Sequence, residues 1–420
     1  MTSARAPLKP LDIALAELLA PISTLQGVEE VSTFDADGRV LAQNILSSLH
    51  VPPLDNSSMD GYAMRCADVG TAGTVLSVSQ RIPAGSVGTA LQAGTAARIF
   101  TGASIPAGAD AVVMQEECEL LPEADGMSQI RVNAVPKSGQ WIRRAGEDVA
   151  LGAVVLQKGE RLTPASLGLA ASIGLSGLPV VRRPKVALFS TGDELVMPGD
   201  IAPQDMPAGS IYNSNRFFLR ALLRRLGCEV TDMGIVPDNL DATKAALSSA
   251  AEGHDLILTS GGVSVGEEDH IKPAVQALGE LNLWQIAIKP GKPFAYGKVK
   301  NATGAAHFIG LPGNPVSSFV TFLLLVRPFL LKLQGVQDVD QVTTKSIAVR
   351  ADFTWARADK RREFLRVKRN VAGGLDLFAN QSSGVLTSAV WGDGLVNNPP
   401  GQTIAVGDMV QFMSFAELLS

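Results

Sequence analysis

Apolar residues at Leu11, Leu15, Leu18, Leu19 and Ile22 recur at helical spacing and predict an amphipathic N-terminal helix. The stripe needs a cover, either the chain's own core or a second subunit. From residue 69 to 135 short β-like runs at 75–79, 96–100, 111–115 and 129–132 alternate with Gly and Pro, which predicts a small, separate β-rich domain. A helix is expected over 162–173, with Thr163 as N-cap and Pro164 at its first position. Residues 185–333 change texture. Apolar runs at 186–190, 230–236, 255–259, 283–288 and 308–310 alternate with helical patterns, among them 214–226 closed by Gly227. That alternation predicts an α/β unit with a parallel sheet and helices on both faces. Beyond residue 334, runs at 346–352, 364–368 and 407–412 predict a terminal β-barrel or sandwich.

At 420 residues the chain exceeds one ordinary core, and two to four domains are expected. The net charge of −5 and the scattered arginine pairs give no basic stripe, which argues against a nucleic-acid partner. The three cysteines, Cys66, Cys118 and Cys228, lie far apart and suggest neither a disulfide framework nor a zinc site. The apolar stretch 319–326 reads as too short for a bilayer and runs into Arg327 and Pro328. With no signal-peptide pattern at the N-terminus, a cytoplasmic protein without membrane association is expected.

The chemistry gathers in loops. After the buried run 255–259 comes Ser260-Gly261-Gly262, then Val263-Ser264-Val265-Gly266 and the acids Glu267, Glu268 and Asp269. A strand, a glycine-rich turn and a helix start can aim N–H groups at an anion, and the acids could hold Mg²⁺ beside a phosphate. The plainer alternative is a tight turn with a solvated acidic rim. Other polar loops are 55–60 with Asp60, Thr101-Gly102-Ala103, 141–149 with Arg143, Arg144 and Asp148, the loop Thr191-Gly192-Asp193-Glu194, and Pro237-Asp238-Asn239. Lys289-Pro290-Gly291-Lys292-Pro293 and Leu311-Pro312-Gly313-Asn314 follow later strands. Open α/β sheets bind ligands at the carboxyl ends of their strands, so this gathering marks a site.

Taken together, DNSSMDGYAM, FTGASIPAGADAVVMQEE, RRAGEDV, STGDEL, IYNSN, GIVPDN, TSGGVSVGEEDH, KPGKP and LPGNPVSS occur in the order seen in the MoeA family of molybdopterin molybdenumtransferases. The gephyrin E domain is similar. The resemblance covers nearly the whole chain. It implies an N-terminal and linking dimerisation domain (1–51 and 142–180), an inserted β-rich domain (52–141), an α/β molybdopterin-binding domain (181–332) and a C-terminal β domain (333–420). It also implies a homodimer, with adenylylated molybdopterin and molybdate as substrates, Mg²⁺ as cofactor and AMP as a product.

Carried over residue by residue, the resemblance makes Asp269 and Glu194 the acids linked to the metal or the phosphoanhydride. Asp60, Thr101, Asp148 and Asp238 match other polar positions, and Gly261, Gly262 and Ser264 belong to the substrate loop. Lys289, Lys292, Pro293, Ser317, Arg361 and Ser383 match positions that receive the oxyanion. Two assignments stay open: Arg362 could replace Arg361, and Ser382 could replace Ser383. Pro293 could instead be a turn former, and Asp148 could simply pair with Arg144. Molybdate is a tetrahedral dianion, for which Lys, Arg and Ser are a suitable donor set. Ser317, in the first turn of a helix opened by Pro315, lies at the positive end of its dipole.

Two other functions fit parts of the sequence. The 185–333 unit alone resembles the adenylyltransferase that activates molybdopterin, which lacks the Asp60 and Thr101 loops and the terminal β domain. A gephyrin-like scaffold is the non-enzymatic reading. Contacts with the adenylyltransferase and with recipient molybdoenzymes are further implied partners.

Overall fold

The computed structural model describes residues 8–419 apart from 125, 264–269, 303, 338 and 340–344. Asp269 and Ser264, both expected in the site, therefore lie outside the described residues.

The α/β unit is built on one six-stranded sheet. Its spatial order is Glu229–Val236, Lys185–Thr191, Leu256–Ser260, Gly304–Leu311, Pro293–Asn301, Gly279–Gln285. The first four strands are parallel, and Leu256–Ser260 is buried throughout, which explains its unbroken apolar run. The last two are antiparallel, so the sheet is mixed rather than wholly parallel. Only residues 302–303 separate Pro293–Asn301 from Gly304–Leu311, far too few for a parallel crossover. The strand 293–301 escaped the sequence reading because it follows directly on the Pro- and Gly-rich turn.

Helices cover both faces. Ser214–Arg225 and the helix beginning at Pro315 bury Leu219, Leu222, Leu223, Val316 and Val320 on one face. Leu240–Ala251 and Ile271–Leu278 bury Leu247, Ala250, Ile271 and Val275 on the other. Asn213 and Asn239 cap two of these helices, accepting the N–H groups of Arg216 and Ala242.

The apolar run 319–326 is the middle of a 19-residue helix, Pro315–Leu333, long and apolar enough to cross a membrane by length and composition. Here 89% of its apolar window is buried inside the protein. Arg327-Pro328 does not end it. The turn before it widens to a π-helix, Phe322–Val326, which accommodates the missing N–H of Pro328.

The N-terminal helix, Leu11–Leu19, packs its stripe onto this same core: Leu11, Ala14, Leu18 and Leu19 are buried with Leu330 and Leu331. The chain covers its own stripe, and no second subunit is needed for it. The helix thus sits with the α/β unit rather than with residues 28–51.

Those residues join 149–181 in a smaller unit. Val28–Ser32 pairs with Gly177–Val181, Ile45–Leu46 pairs with Val154–Leu156, and the helix Pro164–Ser172 packs beside them. Thr163 caps that helix, accepting the Ser166 N–H at 3.3 Å. The inserted β-rich unit has the strand order Ala111–Met114, Gly61–Met64, Thr95–Ile99, Thr74–Ile82, Met127–Val132, Cys118–Ala124. Gly61–Met64 is a buried strand that follows directly on the polar loop 55–60. Its Gly61 admits the neighbouring strand, since a Cβ there would lie 2.0 Å from the Val113 carbonyl oxygen.

In the C-terminal unit Ile347–Arg350, Met409–Ser414, Gly394–Asn398, Arg362–Arg369 and Leu375–Leu377 pair in succession. A bridge between Ala351 and Leu375 closes the ring into the expected small barrel. Ile288–Lys289, from the α/β unit, adds to it in parallel beside Arg362 and Glu363.

Candidate active site

Four parallel strands end on one cleft of about 820 Å³. Lys185–Thr191 leads to Gly192 and Glu194, Glu229–Val236 to Asp238, Leu256–Ser260 to Gly261 and Gly262, and Gly304–Leu311 to Asn314 and Ser317. Glycine is needed at the crowded strand ends. Gly261 has φ +92°, and a Cβ there would lie 2.7 Å from the Thr191 carbonyl oxygen. Asn215 ties two loops together, donating to the Gly313 carbonyl at 2.7 Å and the Ser260 hydroxyl at 3.3 Å. Glu194 and Asp238 are the charged side chains that line the cleft among the described residues.

A second cluster lies where Ile288–Lys289 meets the barrel. Lys289 Nζ is 3.0 Å from Glu363 Oε1 and 3.4 Å from Asp359 Oδ2. Arg361 grips Asp359 through two nitrogens, Nε to Oδ1 at 3.0 Å and Nη2 to Oδ2 at 2.8 Å. That pairing holds the Asp359 carboxyl well below the usual carboxylate range. Glu363 is only 1% exposed and also accepts Trp355 Nε1–H at 2.8 Å and Asn398 Nδ2–H at 3.4 Å. Arg362 points the other way, to Asp12 on the N-terminal helix. Neighbouring strand residues face opposite sides, so Arg361 and not Arg362 shares a cluster with Lys289.

The two groups adjoin. Pro293 and Ser317 line the cleft, and Lys292 stands next to Pro293, half-buried, in the turn that begins at Lys289. The Ser383 carbonyl oxygen accepts the Val316 N–H at 2.9 Å, beside Ser317, and Gly384 lines the cleft.

Other expected site residues stand apart in this chain. Asp60 Oδ1 accepts both the N–H and the hydroxyl of Thr101 at 2.8 Å, and the Thr101 N–H holds that carboxyl below its usual range. Neither lines the cleft, nor does Asp148. Arg144 pairs with Asp55 at 2.6 Å, not with Asp148, which is exposed.

Sequence reasoning missed Asn213, Asn215, Asp359, Glu363 and Trp355. The signal for two of them was available: Asp359 and Glu363 stand two residues either side of Arg361, near enough in sequence to pair with it or its neighbours. Among the described residues no three His, Cys, Asp or Glu side chains converge as a metal cluster.

Residues 9–174 match the MoeA N-terminal region (domain I and II), 187–332 a probable molybdopterin binding domain, and 348–415 the MoeA C-terminal region (domain IV). A molybdopterin molybdenumtransferase from Haemophilus influenzae is 45% identical over 325 residues, 77% of this chain and 78% of that protein. Gephyrin from Dictyostelium discoideum is 32% identical over 361 residues, 78% of this chain and 50% of its own. The crystal structure of a molybdopterin biosynthesis MoeA protein from Pyrococcus horikoshii OT3 superposes with TM-score 0.83 at 29% identity, covering 97% of this chain and all of that one.

Proposed function

Because the chain belongs to the MoeA family of molybdopterin molybdenumtransferases, we propose that its cleft takes adenylylated molybdopterin and that the adjoining Lys289–Arg361 cluster takes molybdate. The enzyme is a transferase that inserts molybdenum into molybdopterin. The observation that carries the finer reading is the contrast between the two compartments. The cleft lining offers carboxylates and no cation among the described residues, whereas the cluster beside it holds Lys289 and Arg361 together with Asp359 and Glu363. A phosphoanhydride and a bare oxyanion ask for those two environments.

The donor set of the cleft fits Mg²⁺, since Glu194 and Asp238 supply hard carboxylate oxygens and Asp269 follows in the same glycine-rich loop. Bound there, Mg²⁺ would screen the phosphoanhydride charge and polarise the phosphorus. Gly261 and Gly262 let the backbone approach the phosphates. Water opens the anhydride, AMP leaves, and the phosphate stays on molybdopterin. Lys289, Lys292 and Arg361 neutralise molybdate while Ser317 and Ser383 donate hydrogen bonds to its oxygens. Two dithiolene sulfurs then bind molybdenum, and one oxygen leaves as water with the two thiol protons. The oxidation state of molybdenum does not change.

We further read the enzyme as a cytoplasmic homodimer. Asp60 and Thr101 lie away from the cleft of their own chain, and a two-fold partner would bring a second copy of that loop to each cleft.

The test pairs two variants on purified protein supplied with adenylylated molybdopterin, Mg²⁺ and molybdate. Asp269→Asn is expected to leave folding within about 1 kcal/mol while AMP release falls steeply. Lys292→Gln is expected to raise the molybdate concentration needed for insertion more than it weakens adenylate binding. AMP release near the parental rate in the first variant, or equal losses for both ligands in the second, would overturn these roles.

A further inference from the structure

We propose that Asp359 is a tethered stand-in for the incoming oxyanion, which must displace it from Lys289 and Arg361, whereas Glu363 stays in place and positions the lysine. The proposal rests on the assignment of that cluster to molybdate.

Two cations and two carboxylates make the cluster neutral as it stands: Lys289 and Arg361 against Asp359 and Glu363. Lys292 adds one further positive charge to the groups assigned to the oxyanion, too little to draw in a dianion while both carboxylates remain. One carboxylate has to leave, and the two are held differently. Glu363 is 1% exposed, sits on the strand Arg362–Arg369, and is fixed by the Trp355 indole and the Asn398 amide as well as by Lys289. Releasing it would strand those buried donors. Asp359 lies on irregular chain before that strand, and its carboxylate meets Lys289 and the Arg361 guanidinium, the groups a molybdate would take, together with the part-buried Arg361 backbone N–H at 3.0 Å.

The position of the carboxylate supports the same reading. Asp359 Oδ2 stands between the cations, 2.8 Å from Arg361 Nη2 and 3.4 Å from Lys289 Nζ. The two-point grip by Arg361 is the geometry a tetrahedral oxyanion also satisfies.

Discrimination follows. A monoanion that displaces Asp359 exchanges one negative charge for one. A dianion meets the same cations with twice the charge, so its Coulomb attraction at equal distance is doubled. The intramolecular competitor therefore raises the threshold for every anion and favours dianions over monoanions.

The experiment is equilibrium binding of molybdate to the full-length protein without pterin, with perchlorate as the monovalent competitor. Asp359→Asn and Asp359→Ser are expected to bind molybdate about tenfold more tightly and to become sensitive to perchlorate, while Asp359→Glu keeps parental behaviour. A residue that merely orients Arg361 would give the opposite sign, weaker binding in both neutral variants, and that result or no change would overturn the proposal. Lys289→Gln separates the underlying assignment: it should weaken molybdate binding at least several-fold. If it does not, the cluster is not the oxyanion site. If it does while the neutral Asp359 variants fail to tighten binding, only the stand-in role falls.

Discussion

Replacing Glu363 by glutamine removes the charge that holds Lys289 beside the barrel while keeping the shape of the side chain. The amide oxygen can still accept the Trp355 and Asn398 hydrogens that now meet Oε2. The amide nitrogen then faces the Lys289 ammonium, donor against donor, where Oε1 accepted at 3.0 Å. A hydrogen bond to a charged group contributes about 1.5–3 kcal/mol. The lower end applies here, because the Lys289 side chain is 38% exposed and can turn to water or to Asp359 at 3.4 Å. A loss of about 1.5 kcal/mol is roughly tenfold in a local opening equilibrium. A chain of several domains has no single unfolding free energy, so the measurement must be local. Native-state hydrogen exchange supplies it. Amides of Arg362–Arg369 should exchange about tenfold faster in Glu363→Gln, while those of Met127–Val132 in the β-rich unit keep their rates. Unchanged exchange in the first strand would show that the lysine contact contributes nothing, and an equal rise in both strands would show a global effect instead.

Asn213→Ala should destabilise the α/β unit by about 1 kcal/mol relative to Asn213→Ser, because serine keeps a cap for the Arg216 N–H at the start of Ser214–Arg225; native-state exchange of the amides of that helix in the two variants checks it. His307 has its pKa pushed down to about 4 by burial, with Lys298 adding to the shift. Above about pH 6.5 the ring is neutral folded or unfolded, and below that the unfolded chain takes up a proton that the folded one refuses until about pH 4. Stability of the α/β unit should therefore fall as pH drops through that window, and His307→Gln should flatten the fall in protection of the Gly304–Leu311 amides, corrected for intrinsic exchange, across a pH series; an unchanged slope would refute it. Co-expressed Asp60→Ala and Asp269→Ala chains test the composite dimer: purified mixed dimers should recover about half the parental activity per dimer, since one site is intact and the other carries both lesions. Mixed dimers that stay inactive would place each site within a single chain.

The central strands and their loops were legible because burial on both faces leaves an unmistakable run, as at Leu256–Ser260, and because glycine follows where the chain must crowd. Caps were legible for the same local reason: Thr163 precedes Pro164, and Gly227 takes φ +78° just after Ser214–Arg225. What failed depended on tertiary context. Pro293–Asn301 is a strand only because Gly304–Leu311 and Gly279–Gln285 flank it. Pro328 sits inside a helix only because a π-turn precedes it. The apolar stripe of Leu11–Leu19 showed that a cover was needed without showing which, and the cover is the chain's own core.

The grouping of Asp359, Arg361 and Glu363 around Lys289 bears on how the two halves of the site depend on each other. Lys289 leaves the α/β unit on a two-residue strand and becomes an edge of the C-terminal sheet. Its charge is therefore placed by Asp359 and Glu363, residues of the other unit. On the opposite side of the same strand, Arg362 reaches Asp12 of the N-terminal helix, whose leucines are buried in the α/β core. The barrel is thus fixed to the α/β unit from both sides of one strand. An α/β unit alone would keep Glu194, Asp238 and the glycine-rich loop, the parts proposed to take the phosphoanhydride. It would keep Lys289 as well, but without the carboxylates that position it and without Arg361. On the proposed roles, the carboxylates for the adenylate come from one unit of this chain and the groups for the oxyanion from two. That requirement is what the whole-length arrangement satisfies, and it is why the reading of the chain as an adenylyltransferase, which would call on the α/β unit alone, leaves the Lys289–Arg361 cluster without a purpose.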